Sequence, residues 1–330
     1  MDISINLLEE TLLSFATGDA MGMGTEFMTR QAINERFGVL DGFIKPLQSQ
    51  NHSDLASASV TDDTEQVLAL LKAYGRDGLS VQVTVETLVD WINTSDAVAK
   101  RYIGPSTLSA LKAVQAGGDW HVSGVNGTTC GGIMRSPAPA IYSVLRHQTE
   151  QELAGDVYAC LVATHNTSQA MEAAMAYAYA LVRALRGASI DDIISDALRG
   201  AMAGRNLAPY EACAASTHDR ILFLRSTLGQ SRFGVTEFLD YIYGVMGTSL
   251  ASEDVAAAVF ALFIYTEGDA WKAIRLASSL GGDTDTIAAL AGALCTAYAQ
   301  SSDIPDEVKE TVVKVNNLDI HAILESVAQR

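Results

Sequence analysis

Two short runs of oxygen-bearing residues have the types and spacing to do chemistry. Thr61-Asp62-Asp63-Thr64 precedes an apolar helix beginning near Glu65, and Gly281-Gly282-Asp283-Thr284-Asp285-Thr286 precedes another, Ile287 to Ala299. Asp and Thr are good N-cap residues and negative charge is favoured at a helix start, so end capping is the ordinary reading of either run alone. One side chain suffices for a cap. Two adjacent aspartates in the first run and two alternate ones in the second leave surplus carboxylates, which need counter-charge if they converge. A hard divalent cation supplies it: magnesium takes near-octahedral oxygen coordination, and manganese also accepts carboxylate, hydroxyl and water ligands. Thr61, Asp62, Asp63, Asp283, Asp285 and Thr286 could together hold two such ions about 3.5–4 Å apart with a bridging aspartate, provided that the fold brings the runs together.

The elements that must do so are helical almost throughout. Leu7, Leu8, Leu12 and Phe15 recur with a period near 3.6, as do Val67, Leu68 and Leu71, and then Val81, Val85, Leu88, Val89 and Ile92. Further helices are predicted over 106–116, 137–146, 150–164, 168–186, 189–204, 211–226, 235–243, 253–266, 270–279, 285–299, 305–314 and 318–328, with 311–316 also readable as a strand. Ala170 to Val182 and Val255 to Tyr265 are apolar nearly all round and too short to span a membrane, so they are expected at the centre of the fold. Loops are expected at 18–24, 41–60, 117–136, 244–252 and 281–284. No charged or proline-rich linker and no solenoid-period repeat divides the chain, which therefore reads as one compact all-α domain over 1–330.

Composition narrows the function classes. The 330 residues are 48% hydrophobic, enough for a sizeable core, and 22 Lys plus Arg against 39 Asp plus Glu give a net charge of −17. Without a compensating basic tract, that balance argues against nucleic-acid binding and against anionic membranes. Cys130, Cys160, Cys213 and Cys295 are too scattered for a disulfide framework and are expected reduced; His52, His121, His147, His218 and His321 show no zinc spacing. Met1 to Glu10 lacks the positive start of a secretory signal, so a soluble cytoplasmic protein, monomeric or a small homo-oligomer, is the expectation. Trp91, Trp120 and Trp271 are expected to be packing residues.

Four ordered blocks carry a resemblance: Gly18-Asp19-Ala20-Met21-Gly22 with Glu26-Phe27, Thr61-Asp62-Asp63-Thr64, Gly131-Gly132-Ile133-Met134-Arg135 with Pro137, and Gly282-Asp283-Thr284-Asp285-Thr286. Thr164-His165 adds a weaker fifth. In these the chain resembles the ADP-ribosylglycohydrolases, the family that contains dinitrogenase reductase-activating glycohydrolase and the ADP-ribosyl-acceptor hydrolases. The resemblance implies a compact orthogonal multi-helical fold, a binuclear Mg2+ or Mn2+ site on the six residues above, and hydrolysis of the bond joining ADP-ribose to an acceptor on a protein or small molecule. It implies catalytic roles for Glu26, Asp62, Asp63 and Asp285, with Asp19 organising a turn. It also implies ligand contacts within the glycine-rich segment, at Gly127, Gly131 and Gly132, and at Arg135 and His165. Backbone N–H groups there would surround a diphosphate, although ordinary loop flexibility explains the glycines and structural pinning explains Arg135 equally well. Phe27, Tyr102 and Trp120 are candidates to meet adenine. Arginine is the favoured acceptor by analogy. The alternatives are a noncatalytic ADP-ribose-binding or immunity module, or a hydrolase of another ADP-ribosylated or nucleoside-like molecule.

Overall fold

A computed structural model describes residues 3–47, 52–95, 103–228 and 233–329, and Tyr102 lies outside them. Among the described residues the chain forms α1 Ile5–Gly22, α2 Arg30–Arg36, α3 Asp62–Asp77, α4 Val81–Thr94, α5 Pro105–Gln115 and α6 Trp120–Ser123. After a 3-10 turn at Ile133–Arg135 come α7 Pro137–Leu145, α8 Glu150–Leu161, α9 Ser168–Leu185, α10 Ile190–Leu207, α11 Thr217–Leu228 and α12 Val235–Tyr241. A π-helical turn at Ile242–Met246 leads to α13 Ser252–Thr266, α14 Ala270–Ala277, α15 Thr284–Ala299, α16 Asp306–Asn316 and α17 Ile320–Ala328. The described residues contain no strand, only two isolated bridges, and the ambiguous stretch 311–316 is helical. None of their helices is long and apolar enough to cross a membrane.

Three helices that bury nearly every side chain form the centre. Two are the expected α9 and α13, and the third is α15. Small residues let their neighbours approach to backbone distance: a Cβ on Gly200 or Gly204 of α10 would lie 2.4 Å and 2.2 Å from the Met175 and Met171 carbonyl oxygens of α9. The same device joins α1 to α15. A Cβ on Gly18 would sit 2.2 Å from the Ala288 carbonyl oxygen, and one on Gly22 would sit 2.3 Å from that of Thr284.

That packing corrects the reading of residues 18–24 as a loop, because α1 runs unbroken through Gly22. The glycines there serve a helix crossing, where their missing side chains matter more than their freedom to turn. Two other boundaries moved. The helix expected from 211 begins at Thr217, because the chain before it runs extended, pairing Tyr210 with Thr167, and α2 was not anticipated at all. The acidic runs are not merely followed by helices; they form the first turns of α3 and α15.

Alanine is the better helix former by about 1 kcal/mol, yet Gly18→Ala should destabilise the protein by about 1–3 kcal/mol through overpacking. Denaturant unfolding of the variant checks this; an unchanged or raised midpoint would show that α1 and α15 can separate freely.

Candidate active site

The start of α3 is capped from another helix. The buried Asp19 carboxylate of α1 accepts bonds from the Thr61 and Thr64 backbone N–H groups at 3.0 and 3.1 Å, and from their hydroxyls at 2.8 and 2.5 Å. Asp19 and the Thr61 hydroxyl, which accepts from the Asp63 N–H at 3.4 Å, therefore share the capping role, and the carboxylates of Asp62 and Asp63 are left out of it. At α15, Gly281 and Gly282 adopt φ of +86° and +84°, and a Cβ on Gly282 would lie 2.0 Å from the Thr248 carbonyl oxygen. Their peptides bond to Met28, Phe27 and Thr248, which presses the first turn of α15 against the Glu26-Phe27 turn. Asp283 stands at the N-cap position but makes no side-chain capping bond.

The two runs meet. The Thr286 hydroxyl lies 3.2 Å from Asp63 Oδ2, across 223 positions of sequence, and 3.2 Å from Asp283 Oδ1. Carboxylate oxygens of Asp19, Asp63 and Asp285 lie within 4.8 Å of one another, and so do donor atoms of Glu26, His52 and Asp285. Asp283 Oδ2 and Asp285 Oδ1 are buried without a hydrogen-bond partner. All four aspartates of the runs and Glu26 line one cleft that opens to solvent. Phe27, Ile103, Pro105, Met134 and Leu250 add apolar surface to its lining, and no Lys or Arg belongs to the described lining.

Burial is the first cause that raises the pKa of each of these carboxyls, Asp19 to about 7. Repulsion from Asp285 is the second cause for Asp19, Glu26, Asp62, Asp63 and Asp283. A set of oxygens that is buried, mutually repelling and in part unpartnered suits a hard divalent cation.

The other expected site residues lie elsewhere in the wall. Thr61 points its hydroxyl at Asp19, beneath the cleft. Gly131 lines the cleft. Gly127 and Gly132 pack on the segment 161–165, where a Cβ would lie 2.0 Å from the Thr164 carbonyl oxygen and 3.1 Å from Leu161 respectively. Arg135 and His165 are fully buried in a shared network. Arg135 donates to Gln66 at 3.1 Å and to the hydroxyls of Thr107 and Thr164, and its guanidinium lies 3.2 Å from His165 Nδ1. Burial and the Arg135 charge hold His165 well below the usual histidine range, so its ring is neutral.

Three neighbours escaped the sequence reading. His52, from the loop expected over 41–60, places Nε2 2.5 Å from Glu26 Oε2. Gln66 donates to Asp62 Oδ2 at 2.9 Å; its i+4 position after Asp62 was a usable signal. Cys130 lines the cleft near Thr286, with a thiol that burial and the neighbouring acids push up.

The family model for the ADP-ribosylglycohydrolases matches residues 6–330. The chain belongs to the ADP-ribosylglycohydrolase family. Membership supports hydrolase activity of that general type. The chain is 29% identical over 321 residues to the uncharacterized protein YegU of Escherichia coli (strain K12), covering 95% of this chain and 94% of that one. It is 26% identical over 309 residues to the ADP-ribosylarginine hydrolase Tri1 of Pseudomonas putida (strain GB-1), covering 91% and 72%. A solved ADP-ribosylglycohydrolase-related protein complex shares the fold, with a TM-score of 0.68 at 20% identity over 100% of this chain and 99% of its own.

Carboxyls with raised pKa hold more protons in the folded chain than in the unfolded one, so stability falls as pH rises through their folded values. After chelation, the unfolding midpoint should therefore be lower at about pH 8 than at about pH 5, and a divalent cation should restore it. Denaturant titration at both pH values, with and without Mn2+, checks the sign; a midpoint that rises with pH after chelation contradicts the assignment.

Proposed function

We propose that this protein hydrolyses the glycosidic bond between ADP-ribose and an acceptor, preferentially arginine, at a centre of two divalent cations, Mg2+ or Mn2+. One observation carries the reading: two acidic helix starts, remote in sequence, meet in one cleft where, among the described residues, Asp283 Oδ2 and Asp285 Oδ1 are buried without a hydrogen-bond partner. Asp62, Asp63, Asp283, Asp285 and Thr286, which line the cleft, would hold the ions, and Thr61, turned to Asp19, would support them from beneath. When bound, such ions supply Lewis acidity and lower the pKa of a water nucleophile.

The chain's own groups then have separable tasks. Asp62, half-buried and oriented by Gln66, is placed to accept a proton from the attacking water. As the bond from ribose to the acceptor lengthens, positive charge develops on the sugar, and Asp63 and Asp285 favour that state electrostatically. Glu26 serves proton transfer to or from the departing group. The apolar part of the lining limits water, and the exposed ring of Phe27 offers a face to a guanidinium. The glycine-rich segment presents backbone at Gly131 for the diphosphate, with Arg135 and His165 holding that segment from behind.

Arginine as acceptor is supported by the acidic cleft, without Lys or Arg in its described lining, and by the likeness to an ADP-ribosylarginine hydrolase. A cationic leaving group suits such a cleft better than a neutral serine hydroxyl. Release of ADP-ribose should be measured from arginine-, serine- and small-molecule-linked substrates, after chelation and with Mg2+ or Mn2+ restored. Turnover should need the cation and be greatest on arginine. Asp62→Asn and Asp285→Asn should each lower kcat by about 100-fold or more while remaining folded. Equal turnover by chelated and reloaded protein would remove the metal from the reaction.

A further inference from the structure

Among the described residues, one imidazole stands beside the oxygen-rich centre. His52 is 4% exposed, sits on a segment with no helix of its own, and reaches Glu26 from 26 positions downstream. Its ring nitrogen, a Glu26 oxygen and an Asp285 oxygen all lie within 4.8 Å of one another, a spacing at which three donors can share an ion. Asp285 is 3% exposed, and its Oδ1 has no hydrogen-bond partner. Because Asp285 also belongs to the cluster with Asp19 and Asp63, it stands between this trio and the carboxylates deeper in the cleft.

We infer that Glu26, His52 and Asp285 form a mixed nitrogen–oxygen ligand set, through which the centre selects a transition-metal dication such as Mn2+ over Mg2+. The inference rests on the metal reading above and deepens it by fixing the class of ion. Imidazole is a poor ligand for Mg2+, which prefers oxygen and keeps its waters, whereas first-row transition ions accept imidazole readily. Nε2 of His52 and Oε2 of Glu26 lie 2.5 Å apart, so both would face the same ion. Both groups would bind a dication in their unprotonated forms, any proton they carry passing to solvent. Nothing is oxidised or reduced. The Asp285 carboxylate supplies the charge that keeps the ion between them.

The test is electron spin-echo spectroscopy of Mn2+ bound to the full chain, together with competition between Mn2+ and Mg2+ followed by equilibrium dialysis. Bound Mn2+ should show nitrogen modulation that is absent in His52→Gln and His52→Asn. In both variants, Mn2+ affinity should fall about tenfold or more while Mg2+ affinity changes little. Bound Mn2+ without nitrogen modulation in the unaltered protein overturns the inference, and this needs no variant to fold. Modulation that persists in a folded His52 variant also overturns it, since the nitrogen then comes from elsewhere. Failure to bind Mn2+ at all defeats this inference and the metal reading together. Mn2+ bound through His52 without release of ADP-ribose from any substrate would defeat only the hydrolase assignment.

Discussion

Five carboxyls crowd one cleft in a molecule whose described cleft lining offers no Lys or Arg to meet them. Burial without counter-charge is costly, and the structure offsets part of that cost: His52 pairs with Glu26, Gln66 and Thr286 donate to Asp62 and Asp63, and two further devices act beside them. The acids sit at the starts of α3 and α15, where the helix dipoles favour negative charge. Asp19, the deepest, is surrounded by four N–H and O–H donors. Asp283 and Asp285 receive less, and each retains a buried oxygen without a partner. The glycine crossing of α1 on α15 follows from the same constraint. Only helices in backbone contact can place Asp19 of one beside Asp285 of the other, and a Cβ at Gly22 would meet the backbone of Asp285 at 2.5 Å.

The buried Arg135 shows how the cleft's oxygens escape protein pairing. Arg135 lies behind the wall, and its hydrogen bonds go to neutral acceptors: a side-chain amide, two hydroxyls and a neutral imidazole. Its charge reaches the acids through Gln66, which accepts from Arg135 with one amide atom and donates to Asp62 with the other. A direct Arg–Asp pair would have consumed the carboxylate. The amide relay instead fixes the orientation of Asp62 and leaves oxygen available to the cleft. The same network explains the glycines at 124–132 in part. Gly124 and Gly127 abut the backbone of 162–166, so their lack of a side chain permits the loop to seat.

The sequence made the helical class, the central position of α9 and α13, and the surplus of aspartates legible. Periodicity reports burial, and two acidic runs exceed what capping needs. It misread Gly18 and Gly22 because a glycine required by a close crossing looks the same in one dimension as a glycine required by a turn. His52 was missed for a related reason. A single histidine in a non-helical stretch has no partner at any ligand spacing, and its relation to Glu26 exists only after the chain folds back. Gln66 was readable from its i+4 offset to Asp62, but a glutamine on an amphipathic helix ordinarily means solvent.

The mouth and floor of the cleft are mechanically one piece. Phe27 has φ of +58°, a left-handed conformation that costs a bulky residue about 1–3 kcal/mol and persists only where its surroundings enforce it. Here the enforcement is visible. The Phe27 N–H donates to the Gly282 carbonyl at 2.8 Å, the Gly282 N–H donates to the Met28 carbonyl at 3.0 Å, and the Thr25 hydroxyl reaches the Ser278 carbonyl at 2.6 Å. These bonds tie the turn that carries Glu26 to the glycine pair that sets the first turn of α15. His52 joins a third segment to the same turn through Glu26. A shift of Asp283 and Asp285 would therefore carry Glu26 with it, so the three carboxyls keep their spacing whenever that unit moves. That fixed spacing is what a catalytic centre requires, because proton transfer and charge stabilisation must act on one substrate geometry at the same instant.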